Sequence, residues 1–390
     1  MDYTIDEVMQ YIEEEDAKFI RLAFCDAYGV QKNISVMPGQ IVKAFNEGIA
    51  VNAKEIAGYK DCPYGFLYLK PDASTLSILP WRPDRGRVLR MLCGLYTPDN
   101  KPFEADSRRI LENACKRAAD MGIDFKFGSE PEFYIFKKDE NGEPTKEPYD
   151  NAGYMDIAPL DRCENIRREI CLTIEQMGLT PERSHHERGP GQNEIDFHFD
   201  KPLKAADQAV TFNMVVKTIA DRNGLIADFS PLPLQDKPGN GYHINIYAKN
   251  ADGEDMIKYV AAGIMDVIRD ITIFLNPTEE SYSRFKCASA PDRVNWSDEG
   301  DSKLMYLESF MGRNRAELRS PDAASNPYLV YALLIHAGLD GIEKKLEMPT
   351  QIDDGAFLPT SKLEACELAK NSEFVNKTLP KEIINEYIPV

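Results

Sequence analysis

Phe127-Gly-Ser-Glu-Pro-Glu-Phe-Tyr-Ile-Phe136 decides how the rest of the chain is read. Side chains of an extended backbone alternate between faces, so Glu130 and Glu132 point the same way. The flanking residues sort by the same parity. Ile123, Phe125, Phe127, Phe133 and Ile135 fall on one face, and Asp124, Lys126, Gly128, Glu130 and Glu132 on the other. One face therefore feeds a core while the other presents two carboxylates side by side. Like charges this close repel unless a cation lies between them or one holds a proton. Pro131 removes a ladder donor, which predicts an edge, a bulge or a strand end. Alone, the stretch is equally open to a second reading, a solvated polar strand face.

The totals narrow the function classes. At 390 residues the chain suffices for two domains and a large core. A formal net charge of -18 argues against a nucleic-acid or anionic-membrane partner. No apolar run approaches a membrane span, and the first residues lack an export-signal pattern. The eight cysteines include no CxxC pair, which suits reduced thiols and a cytoplasmic protein.

Outward from the central stretch, residues 1–100 read as a small α+β unit. A helix is predicted at 4–16, strands at 18–26, 30–36, 65–69, 75–80 and 88–96, and a helical segment at 40–46. The second unit, 101–390, opens with Asp106 as a helix cap. Helices are predicted at 160–178, 204–223, 255–275 and 326–346, with strands at 192–199, 242–248 and 313–319 between them. The fold class is α+β, with helices on a mainly antiparallel sheet. There is no GxGxxG and no Walker loop.

Three later segments offer partners for the paired carboxylates. His185-His-Glu-Arg-Gly-Pro-Gly-Gln-Asn-Glu194 folds Glu187 and Glu194 around a Gly/Pro turn. Gly239-Asn-Gly-Tyr-His243 leads into a strand on which His243, Asn245 and Tyr247 share a face. In Arg313-Asn-Arg-Ala-Glu-Leu-Arg319, Glu317 is flanked on its own face by Arg315 and Arg319. A carboxylate between guanidinium groups suits a site holding metal and phosphate together, although a surface ion-pair ladder has the same pattern.

Taken in order, these segments resemble the glutamine synthetase family nearly end to end. Phe19–Lys32, Lys70-Pro-Asp-Ala-Ser-Thr75, Glu104-Ala-Asp-Ser-Arg108, Ser281-Tyr-Ser-Arg284, Arg315–Asp322 and Asn326-Pro-Tyr328 carry the resemblance alongside the segments above. It implies a β-grasp domain over 1–100 and a catalytic α+β domain over 101–390. It also implies a homo-oligomeric double ring with active sites between subunits. The implied ligands are Glu132, Glu187 and Glu194 for one metal, and Glu130, His243 and Glu317 for the other. Five carboxylates and one imidazole favour Mg²⁺ or Mn²⁺, two or more ions per site. The implied cofactor is ATP, with Asn245, Tyr247 and Arg315 on the nucleotide side. Arg284 and Arg319 match arginines that hold substrate carboxylates, and with Glu317 form the implied catalytic set. The implied reaction joins an amino-acid carboxylate to an amine through an acyl phosphate.

Several positions depart from the family pattern, mostly on the substrate side. Asn52 stands where an ammonium-binding Asp is expected, Pro238 where a substrate-contacting Asn is expected, and Ser289 near a flap Glu. In the arginine-rich run, Asp301 and Leu304 replace two phosphate-side arginines, with Arg293, Lys286 or Arg313 as substitutes. The acceptor therefore stays open between ammonia and a polyamine or amino alcohol. A non-catalytic ring protein of the same fold is the remaining reading.

Overall fold

The structure is a computed structural model describing residues 3–287, 289–300, 303–310, 313–352 and 354–388. Helix α1 (Ile5–Glu14) opens the chain under a Thr4–Glu7 capping box. Strands β1 (Phe19–Cys25) and β2 (Gln31–Val36), helix α2 (Ile41–Asn46), and strands β3 (Ile49–Asn52), β4 (Phe66–Pro71), β5 (Ser77–Ile78) and β6 (Val88–Tyr96) follow. They form one sheet of order β2-β1-β6-β4-β3, with β5 also on β6. The pairing of β1 with β6 is parallel. Strand β3 escapes sequence reading because four residues leave no periodicity to measure.

The second unit runs α3 (Ser107–Asp120), β7 (Ile123–Lys138), β8 (Pro144–Pro148), α4 (Glu164–Gln176), β9 (Pro181–His186), β10 (Gln192–Phe197), α5 (Pro202–Arg222) and β11 (Leu225–Asp228). It continues through β12 (Tyr242–Asn250), α6 (Ile257–Leu275), α7 (Glu279–Arg284), β13 (Trp296–Ser297), β14 (Met305–Phe310), β15 (Arg313–Leu318) and α8 (Pro327–Lys344). Three short helices, α9 (Lys362–Asn371), α10 (Glu373–Thr378) and α11 (Lys381–Tyr387), end it. Nine strands make a sheet of order β13-β14-β15-β12-β7-β10-β9, with β8 and β11 also on β7. With helices on this largely antiparallel sheet and a β-grasp unit before it, the fold is α+β.

Strand β7 lies at the centre of that sheet, and its apolar face is the core. Phe127 stacks on Tyr331 of α8 with centroids 4.5 Å apart, and Phe133 meets Phe212 of α5 at 5.8 Å. The expectation that Pro131 marks an edge, bulge or strand end needs correction, because the proline sits mid-strand. The β12 ladder runs as far as Pro131 on one edge of β7, while on the opposite edge the β10 ladder begins only at Glu132. A residue without an N–H is tolerated there because the β10 edge has not yet begun to pair.

Buried polar clasps join the two units. Arg108, the cation of the 104–108 segment, pairs with Asp72 of the 70–75 segment at 2.6 Å and with Asp207 of α5 at 2.9 Å. The Tyr328 hydroxyl donates to the same Asp207 at 2.7 Å. Asn326 and Tyr387 both donate to the Ala27 carbonyl, at 3.0 and 3.1 Å, fixing the β1–β2 turn to the second unit. Removing one partner of a buried pair strands the other in low dielectric. Asp207→Ala is therefore expected to cost about 3–5 kcal/mol, read as a lower urea midpoint. An unchanged midpoint would show that the clasp contributes nothing.

Candidate active site

Register places the site. On the polar face of the large sheet, His243 lies directly opposite Glu130, Asn245 opposite Glu317, and Glu194 opposite both Glu132 and His185. Directly opposed residues of an antiparallel pair hold their Cβ atoms about 4.5–5.5 Å apart. Four adjacent strands, β15-β12-β7-β10, thus bring five of the six sequence-derived ligands to one surface. Glu187, just beyond β9, completes the set.

The side chains converge. Ligand atoms of Glu130, His243 and Glu317 lie within 4.8 Å of one another, all three residues buried. His243 Nδ1 is 3.5 Å from Glu130 and 3.8 Å from Glu317, and its Nε2 is 3.9 Å from Glu132. The second group differs from the sequence-derived triad by one member. Glu187 and Glu194 are gathered around His185, at 3.6 and 3.4 Å from its ring nitrogens. Glu132 stands between the two groups, accepting from Gln192 at 2.9 Å and from the Gly241 amide at 3.0 Å. A Cβ at Gly241 would come within 2.7 Å of His243 Nε2 and 3.1 Å of both Arg284 and Glu132. Only glycine lets these groups meet at that point.

The electrostatics describe a site short of positive charge. Burial drives Glu194 well above the ordinary glutamate value, and Asp196, Glu132, Glu130 and Glu187 push it further. Burial, then the Glu132 charge, lifts Glu187 to about 7. Burial and Glu130 raise Glu317. Glu130 alone is held low: burial opposes ionisation, but His243 and Asn245 outweigh it and bring it to about 2. Glu194, Glu187 and Glu317 are thus pushed toward the neutral form, where a nearby cation would favour the charged one. With mostly carboxylate donors and the His243 and His185 imidazoles, the set fits a hard divalent ion such as Mg²⁺ or Mn²⁺. The Asn245 amide donates to Glu130 at 2.8 Å, while its Oδ1 is buried without a partner, an acceptor awaiting a ligand's donor.

The remaining sequence-derived residues divide. Arg284 and Arg319 line the pocket. Arg284 is fully buried, donating to the Ser320 and Arg319 carbonyls at 2.8 and 3.3 Å, and Arg319 also pairs with Glu317. Arg315 points at Glu308 across the β14–β15 pair and does not line the pocket. Tyr247 lies farther along β12, its ring edge-on to Phe199 at 4.0 Å. Pro238 and Ser289 line the pocket, but Leu304 is wholly buried in the core. Among the proposed substitutes, Arg293 lies over the Phe357 ring and donates to the Gly355 carbonyl, away from the site. Asp301 and the Arg313 side chain lie outside the described residues.

Sequence reasoning missed His185, Gln192, Arg183 and Arg188, all of which line the pocket. Arg183 pairs with Asp196 and lies 3.6 Å from Glu130. The signal for it was parity: Arg183 and His185 share a face of β9, a strand too polar to stand out. Behind Glu187 lies a support. His186 makes ring-nitrogen contacts to the Glu187 carbonyl at 2.6 Å and to Asp150 at 2.9 Å. Asp150 also accepts from the Gly191 amide at 2.9 Å. One carboxylate thereby anchors both arms of the turn that carries Glu187 and Glu194.

Comparison with known proteins agrees with this arrangement. The family described as glutamine synthetase, catalytic domain, matches residues 104–390, and glutamine synthetase, beta-Grasp domain, matches 16–98. A glutamine synthetase of Clostridium saccharobutylicum is 36% identical over 414 aligned positions, covering 99% of this chain and 94% of its own. One from Methanosarcina mazei is 37% identical, covering 99% and 92%. A solved GmaS/ADP complex shares the fold with a TM-score of 0.89 at 24% identity, covering 99% of this chain and 94% of that one.

The raised carboxylates predict a pH signature. Glu187 goes from a model-peptide value of 4.5 to about 7. The stability associated with its neutral form is fully present below 4.5 and lost as pH rises through about 7. The metal-free protein should therefore lose stability between about pH 4.5 and 7. Mg²⁺ should raise Tm more at pH 8 than at pH 5.5, since binding displaces protons. Equal Mg²⁺ shifts at both values in thermal melts would contradict the placement.

Proposed function

The chain belongs to the glutamine synthetase family, whose members are ATP-dependent C–N ligases, and from that premise we propose that it joins glutamate to an amine through an acyl phosphate. The observation that carries this reading is the convergence of Glu130, His243 and Glu317 beside Glu187 and Glu194 in one pocket walled by Arg284 and Arg319. Two divalent ions held by Glu130, His243 and Glu317 and by Glu132, Glu187 and Glu194 would neutralise charge on the transferring phosphoryl group.

The chain's own groups supply positioning. Arg284, fixed by two backbone carbonyls, and Arg319, braced by Glu317, present guanidinium forks for the acid's carboxylates. Asn245 Oδ1 accepts from the nucleotide, and the Tyr247–Phe199 pair offers its base an aromatic wall. A carboxylate oxygen of glutamate attacks the γ-phosphorus and ADP leaves with the bond pair. The amine nitrogen then attacks the acyl carbon and the C–O bond to phosphate breaks. Of the two protons an ammonium group sheds, one leaves with the phosphate and one goes to water. Arg183 takes the cationic role of the missing phosphate-side arginines.

The acceptor is an amine larger than ammonia. Neutral Asn52 and Ser289 offer no anion to hold ammonium. The acids of the altered run do not favour a polyamine either: Asp298 accepts from Gln351, and neither it nor Glu299 lines the pocket. We assign the unit boundary near residue 100, a homo-oligomeric ring with shared sites, and a cytoplasmic location on family grounds. No described helix is long and apolar enough to cross a membrane.

Glutamate, ATP and Mg²⁺ with hydroxylamine should yield phosphate and a hydroxamate, trapping the acyl phosphate. No phosphate release with any acid and amine would end the reading. Glu317→Ala should weaken metal and nucleotide binding together by more than about tenfold, read by calorimetry. Unchanged nucleotide affinity would count against the site. Arg319→Ala is expected to lower kcat by about 10²–10³, and a change confined to KM would make its role mere ground-state binding.

A further inference from the structure

A second recess of about 640 Å³ adjoins the metal pocket and shares three wall residues with it, Arg188, Pro238 and Ser289. Its other walls come from the 232–238 loop and from Ser283, Lys286 and Cys287. The charge there runs against the chain. The sequence has 64 acidic and 46 basic residues, yet this recess gathers Arg188, Lys237 and Lys286 against one acid, Asp236. Among the described residues none of the three cations has an ion-pair partner, although Arg188 lies over the Tyr154 ring at 5.9 Å. Arg188 also acts on the neighbouring Glu187 carboxylate, but three cations beside a single lining acid still leave a local positive field directed into the recess.

Its place on the sheet says which substrate it serves. The recess meets the site at Pro238, before β12 begins, whereas Asn245 and Tyr247 lie beyond His243 on that strand. At about 3.3 Å per residue, Tyr247 stands roughly 13 Å past His243 in the opposite direction. The nucleotide side and the recess are therefore at opposite ends of the metal pocket. Resting on the ligase reading above, we infer that the recess receives the acceptor amine, and that Arg188, Lys237 and Lys286 select one bearing a carboxylate, sulfonate or phosphate at its far end. The amine nitrogen then faces the acyl carbon while the anionic end stays among the cations. A diamine would place its second ammonium against three like charges.

Three near-isosteric amines test this: taurine, ethanolamine and ethylenediamine differ in having an anionic, neutral or cationic far end. With glutamate, ATP and Mg²⁺, phosphate release should follow that order, with about tenfold in kcat/KM per step. Added salt should compress the series. Lys237→Glu combined with Lys286→Glu should reverse it. An equal or reversed order in the unaltered protein overturns the inference, as does release with ammonia alone, which would leave the ligase reading standing. If no amine supports release, the ligase reading fails instead. The recess is then judged by calorimetry of the same amines on protein loaded with ADP and Mg²⁺. Tighter taurine binding upholds it, and equal affinities overturn it.

Discussion

Glu132 and Glu194 face each other across neighbouring strands, with a third glutamate, Glu130, two residues along the same face. Opposed like charges destabilise a sheet, and burial makes the repulsion worse. The arrangement persists because the rest of the sheet is built around it. His243 is set opposite Glu130, Gln192 and the Gly241 amide hold Glu132, and His185 stands opposite Glu194. Every other feature of the polar face either tempers this charge or waits for a cation to do so.

That demand explains much of the architecture. Strand β7 is long because it must pair β12 on one edge along its first half while β10, β8 and β11 pair along its second, and the two glutamates sit where these ladders meet. Its apolar face is held to α8 by a stacked aromatic pair and to α5 by an edge-to-face one, so the carboxylates cannot drift apart. The Asp150–His186 support behind Glu187 and the Arg108 clasp between units serve the same end. They spend buried hydrogen bonds on fixing backbone positions.

How much was legible in the sequence depended on periodicity. The parity of 123–135 identified the core face and the carboxylate face of β7, and glycines before His243 identified where backbone approaches the site. Polar strands such as β9, with Arg183 and His185, gave no alternation, so pocket residues on them went unread. Pro131 was misplaced because a proline's missing donor is informative only when the neighbouring strands are known. The family resemblance marks Leu304 and Arg293 as site positions, yet one is core and the other stacks on Phe357. The 70–75, 104–108 and 326–328 segments, by contrast, turn out to hold the units together rather than to carry chemistry.

The metal pocket and the substrate side thus answer to different constraints. Charge balance leaves the first little freedom, while the walls around Pro238 and Ser289 carry no such charge requirement. The most direct test of the central claim is anomalous scattering from crystals grown with Mn²⁺ and ADP. The account predicts one peak among Glu130, His243 and Glu317 and another against Glu187 and Glu194. Peaks absent from both places, or lying instead in the buried Asp150–Asp161–His186 cluster, would contradict it.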